Sequence, residues 1–113
     1  MPSNQTIYTI PLEEAYLRSA DLHEADLTRA HLDSAVLQKA RLNNAILREA
    51  DLQGAFLEAA DVSGADFSGA NLERADLRRL DMRKVKGLSH EQIAKAIIDD
   101  TTLLPTYLDL VRS

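Results

Sequence analysis

The sequence predicts an all-β solenoid wound from five-residue repeats, and three observations carry that prediction. Leu or a close substitute recurs every fifth residue, at Leu12, Leu17, Leu22, Leu27, Leu32, Leu37, Leu42, Leu47, Leu52, Leu57, Val62, Phe67, Leu72, Leu77 and Met82. Ala stands two places before the centre without a gap from Ala15 to Ala75. The 113-residue chain is 45% hydrophobic yet only 4% aromatic, which suits a thin tube filled by Ala and Leu. An internal repeat outranks local readings of secondary structure. Each coil of a solenoid buries its interior against its neighbours, so no globular core is needed.

The period itself excludes the common alternatives. At about 100° per residue a five-residue step smears the centres around an α-helix. Strand alternation would put successive centres on opposite faces. What fits is a chain that turns a corner once per repeat and sends two residues of every five inward. The triplets Ala20-Asp21-Leu22, Ala25-Asp26-Leu27, Ala50-Asp51-Leu52, Ala65-Asp66-Phe67, Ala70-Asn71-Leu72 and Ala75-Asp76-Leu77 carry the pattern Ala-(Asp/Asn)-Leu-x-x. On these the chain resembles the pentapeptide-repeat family from about Ile10 to Lys84. The resemblance implies a right-handed quadrilateral β-helix with four repeats per coil, about four coils in all, and a C-terminal α-helical cap.

Taken in order, residues 1–9 are expected to form a lead-in, with Ile7, Tyr8 and Ile10 suggesting a short strand over the first coil. Residues 10–84 are the repeat tower. Leu at each centre fills one side of the tube, and Ala fits where a larger group would clash. Phe67, the aromatic centre, is expected to widen its coil locally. Gly54, Gly64 and Gly69 all lie two after a centre, where a tight corner favours positive φ, and Asn44 in the same slot is the next most tolerant choice.

Residues 85–113 break the period at Lys86-Gly87. Ser89 reads as an N-cap with Gln92 three residues on, a capping-box arrangement. Ile93, Ala94, Ile97 and Ile98 follow at helical spacing and place a helix at about 90–99. Leu103, Leu104, Tyr107, Leu108, Leu110 and Val111 make a second apolar segment around Pro105. The tail is similar to those of many bacterial family members, cyanobacterial ones especially, which implies a plug on the last coil. Ile93, Ile97, Ile98, Leu104, Tyr107 and Leu108 are its candidate residues, either as a cap or as a homodimer interface.

With positions 20 apart stacking, the exterior resolves into four sides. The side of Leu12, Leu32, Leu52 and Leu72 carries Glu13, Glu14, Asp33, Asp51 and Glu73 against Arg74, a net of −4. The side of Leu17, Leu37, Leu57 and Leu77 carries Arg18, Lys39, Arg78 and Arg79 against Glu58 and Asp76, a net of +2. On this second side Tyr16, Val36 and Phe56 replace the Asp or Asn that usually precedes the centre. An apolar column on an exposed sheet is the candidate protein-binding surface, and cross-strand packing is its structural alternative.

The composition narrows the function classes. A net charge of −5 argues against direct nucleic-acid binding, which needs clustered Lys and Arg. The chain has no Cys, no apolar run long enough to span a membrane, and no signal-peptide pattern at Met1-Pro2-Ser3-Asn4-Gln5, so a cytoplasmic setting is expected. A convex, filled tube lacks the concave pocket an enzyme needs. His23, His31 and His90 are not expected to converge, so no catalytic, cofactor or metal residues are assigned. The reading is a non-catalytic scaffold for an unidentified protein partner. The family resemblance adds an alternative, a DNA mimic that modulates a type II topoisomerase such as DNA gyrase. Nearly four coils at about 4.8 Å each rise roughly 18 Å, matching only five or six base pairs at about 3.4 Å.

Overall fold

The computed structural model describes residues 12–111. Within them every repeat folds alike: the centre points inward, two residues make a turn, Ala points inward, and the next residue bridges to neighbouring coils. The bridges are parallel and join residues 20 apart, as in Tyr16 to Val36, Asp21 to Arg41, Asp26 to Ile46 and His31 to Asp51. Four such bridges complete a circuit, so the coil has four sides and four repeats. The lead-in expected at residues 1–9 lies outside the described residues.

Three kinds of backbone hydrogen bond maintain this winding. A centre donates its N–H to the carbonyl 19 residues on, as Leu37 does to Phe56 at 2.8 Å. The bridging residue donates 21 residues back, as Val36 does to Ala15 at 2.9 Å. Ala closes the turn onto the preceding centre, as Ala45 does onto Leu42 at 3.0 Å. Buried backbone polar groups are thereby satisfied between and within coils. Inside, the centres from Leu27 to Met82 are at most 2% exposed, while Leu12, Leu17 and Leu22 in the first coil are half-buried. Leu80 and Val85 take the Ala slot in the last coil and are also buried.

The corner two residues after each centre adopts positive φ, as expected at Gly54, Gly64, Gly69 and Asn44. The conformation extends well beyond them, to Glu14, Ser19, Glu24, Arg29, Ser34, Lys39, Glu49, Ala59, Arg74 and Arg79. Positive φ costs a non-glycine residue roughly 1–2 kcal/mol, so the inter-coil ladder holds the corner against local preference. Phe67 is fully buried and the ladder passes it intact, with Asp66 bridging Lys86. Asp61 and Asp81, by contrast, stack 20 apart without bridging each other. Like charges directly opposite oppose pairing.

The positive-φ glycines differ in what a methyl group would meet. A Cβ at Gly54 would lie 3.4 Å from Ser34 Oγ, and Ala59 already occupies the equivalent corner one repeat on. At Gly87, with φ +74, it would press on the Ser68 backbone, 2.9 Å from N and 3.0 Å from Cα. Gly54→Ala is therefore expected to cost about 1 kcal/mol, and Gly87→Ala at least twice that. Thermal melts of the two variants check the ordering.

Beyond Lys86 the tail combines a short helix with further winding. After Lys86 the chain winds around once more: Ile97 bridges Asp76 and Leu103 bridges Asp81, so two sides of the last coil gain a further strand residue. Between the Asp66–Lys86 and Asp76–Ile97 bridges, α1 (His90–Lys95) covers the side of Asn71, where the Lys95 carbonyl accepts the Arg74 N–H at 2.7 Å. The Ser89–Gln92 capping box is present. The helix stops at Lys95, short of the expected 99, because Ile97 is taken by the ladder: its N–H donates to the Ala75 carbonyl at 2.8 Å. A 3₁₀ helix, η1 (Thr106–Val111), follows Pro105.

Candidate functional site

The slot before each centre has a local purpose. Asp Oδ1 there accepts the N–H two residues on, as Asp51 does from Gln53 at 3.1 Å and Asp61 from Ser63 at 3.1 Å. This caps a turn N–H that the ladder does not reach. Asp26, Asp66, Asp76 and Asp81 do the same and also contact the side chain of that second residue. Arg78 holds the Asp76 carboxyl below its usual range, chiefly by its side-chain hydrogen bonds. At Asp66 burial works to raise the pKa, but the Ser68 hydroxyl and N–H with Arg48 outweigh it and the net shift is downward.

Tyr16, Val36 and Phe56 cannot make this cap, and they occupy one column over three successive coils. Parallel bridges run Tyr16–Val36–Phe56–Asp76–Ile97. Tyr16 is 88% exposed, Phe56 is 41% exposed, and Val36 is half-buried between them. Each forgoes a turn hydrogen bond of about 0.5–1.5 kcal/mol and gains cross-strand packing of comparable size. Asp76 ends the apolar stretch, and Ile97 resumes it at 43% exposed.

Beside the column lies a shallow depression of about 260 Å³ lined by Arg18, Gln38, Lys39, Glu58, Ala59 and Arg79. Arg79 pairs with Glu58 at 2.6 Å. Among the described residues Arg18 and Lys39 have no ion-pair partner. The surface is thus an exposed apolar stripe with uncommitted positive charge at its flank.

The six tail candidates divide between inside and outside. Leu108 is 7% exposed, and Ile93 and Leu104 pack against the core. Tyr107 leaves its ring half outside, but its hydroxyl donates to the Val85 carbonyl and accepts the Leu88 N–H, both at 3.1 Å. Ile97 and Ile98 face outward, 43% and 39% exposed. Sequence reasoning missed Gln92 as an anchor: its amide donates to the carbonyls of Phe67 and Ala70 at 2.8 and 2.9 Å. A capping box assigns Gln92 to its own helix, so the sequence held no signal for this second duty.

The three histidines engage separate neighbours. His23 Nδ1 lies 2.5 Å from Asp21 Oδ1, and His90 Nε2 donates to the Leu108 carbonyl at 2.5 Å. His31 lies with Glu13 and Asp33. No helix among the described residues is long and apolar enough to cross a membrane.

The family model for pentapeptide repeats matches residues 12–49 and 50–86, in 8 copies. Among solved structures, a pentapeptide repeat protein from the Arabidopsis thaliana thylakoid lumen is 26% identical over 84% of this chain, with a TM-score of 0.64. One from the cyanobacterium Cyanothece is 32% identical over 80% of this chain, with a TM-score of 0.45. The chain spans 58% and 61% of the lengths of these two proteins. No curated protein matches it. Proteins of this kind form right-handed quadrilateral β-helices, in accord with the four-sided coil described above. By the extent of the match and the regularity of its coils, the chain belongs to the pentapeptide-repeat family.

Proposed function

We propose that the chain is a non-catalytic scaffold whose side bearing Tyr16, Val36 and Phe56 docks another protein. The observation that carries this is the surrender of three turn caps, in successive coils of one side, in favour of exposed apolar groups. The unpaired Arg18 and Lys39 beside the stripe favour a partner segment that is both apolar and acidic. In this proposal the tail closes the tower and supplies no chemistry. The topoisomerase-mimic reading is less well supported. Arg41 pairs with Asp21, Arg29 with Glu49 and Arg48 with Asp66, so the acidic groups of the sides centred on Leu42 and Leu47 are locally neutralised and uncompensated negative charge is confined to the side of Leu32, whereas a duplex is acidic all round.

A photo-reactive phenylalanine analogue at position 56 tests the docking surface, with the same analogue at Ile46 on another side as control. A discrete adduct at 56 and none at 46 is the expected result. Phe56→Asp should abolish capture of the partner so identified while leaving the fold intact, because Asp is what this slot carries at Asp76 and would cap the Glu58 N–H. Equal adducts at both positions would remove the surface from consideration.

A further inference from the structure

The scaffold brings the slot before a centre beside the first turn residue after it. Asp26 accepts from the Thr28 hydroxyl at 2.6 Å, Asp66 from Ser68 at 2.6 Å, and Asp81 from Arg83 at 2.9 Å. In the repeat centred on Leu32 these two positions are His31 and Asp33. The preceding coil stacks Glu13 over Asp33, a register fixed by the neighbouring Glu14 N–H, which donates to the Asp33 carbonyl at 2.9 Å. One ligating atom from each of Glu13, His31 and Asp33 thus falls within 4.8 Å of the others.

The polar atoms of these three side chains are not taken up by turn caps or ion pairs. Among the described residues none gives or accepts a side-chain hydrogen bond or ion pair with them. Asp21, Asp51, Asp66, Asp76 and Asp81 are all held by an N–H, a hydroxyl or a guanidinium. Glu14, Asp51 and Glu73 add negative charge to the same side, and its one cation, Arg74, lies two coils from His31 and Asp33 and three from Glu13. At about 4.8 Å per coil that places it at or beyond the screening length of about 8–10 Å.

We propose that Glu13, His31 and Asp33 bind a divalent first-row transition cation, with Zn²⁺ the best fit. One imidazole and two carboxylates form a three-ligand set that leaves further coordination positions to water. The imidazole favours transition ions over Mg²⁺ or Ca²⁺, which prefer oxygen alone. Tetrahedral coordination with bonds of about 2.0–2.1 Å sets ligand atoms roughly 3.4 Å apart. Glu13 is exposed, so its side chain is free to turn toward the other two ligands. The bound ion would tie the first described coil, where Leu12, Leu17 and Leu22 are only half-buried, to the second. Such a clamp stabilises the folded state by mass action.

Isothermal titration of the untagged full chain with ZnCl₂ tests the site, alongside thermal melts with and without the metal. One equivalent is expected to bind and to raise the melting temperature. His31→Ala, at an exposed ladder position, and Asp33→Asn, at a turn, should fold normally and weaken binding at least tenfold. His23→Ala should change nothing, since that ring sits beside Asp21 with Arg41 adjacent. Unchanged affinity in His31→Ala, equal loss in His23→Ala, or displacement of the ion by a tenfold excess of MgCl₂ would each overturn the proposal.

Discussion

Ala45→Arg is expected to leave the chain unfolded. Ala45 is 1% exposed in the middle of the tower, between the fully buried Leu42 and Leu47. Its N–H closes a turn onto Leu42, and its carbonyl accepts the Asp66 N–H at 3.0 Å. Among the described residues no buried side chain is polar or charged, so a guanidinium would find no carboxylate inside. Burying an unpaired charge costs several kcal/mol, and forcing its stem between packed Leu residues adds about 1–3 kcal/mol. Together these rival the whole stability of an ordinary domain, about 5–15 kcal/mol. Ala59→Arg is the control. Ala59 sits at an exposed corner of positive φ, the same corner that Arg29, Arg74 and Arg79 occupy. Circular dichroism and a melting curve should show Ala59→Arg folded and Ala45→Arg not. A normal melt for Ala45→Arg would mean that the Ala row does not line the interior.

The Ala and Leu rows made the tower legible in the sequence because a period of five residues has one simple reading once the helical and alternating periods are excluded. Column assignments followed by arithmetic, so Tyr16, Val36 and Phe56 could be placed together before any coordinates. The reason Asp precedes so many centres was less accessible, since capping of the N–H two residues on depends on the turn's backbone geometry. Convergence of His31 with Glu13 and Asp33 was also missed. The three histidines do not meet one another, and this cluster mixes a slot residue, a turn residue and a turn residue from the coil before. In the tail the apolar spacing from Ile93 to Ile98 fits a helix, yet Ile97 belongs to the ladder. Unpaired edge groups on the last coil outcompeted about four further residues of helix, a contest that local pattern does not record.

That contest sets the expected result of ending the chain after Lys86: aggregation of a tower that is otherwise intact. The last coil donates Arg74, Leu77 and Met82 N–H groups to the carbonyls of Lys95, Ile97 and Leu103, at 2.7, 2.9 and 2.7 Å. Truncation removes all three acceptors, together with the Gln92 amide that serves Phe67 and Ala70. It also strips Leu88 and Leu108 from the buried end of the tube, where Leu77, Leu80 and Met82 are fully covered. A flat, unpaired, apolar edge is a template for stacking on another copy. Size-exclusion chromatography with light scattering should show one discrete species for the full chain and high-mass aggregates for the shortened one. If Ile97 and Ile98 instead join two copies, the full chain runs as a dimer, and Ile98→Asp makes it monomeric without aggregation, because the closed end is untouched. A shortened chain that stays monodisperse and melts like the full one would show that the extra winding after Lys86 protects nothing, and the tail would then have to be explained by its outward residues alone.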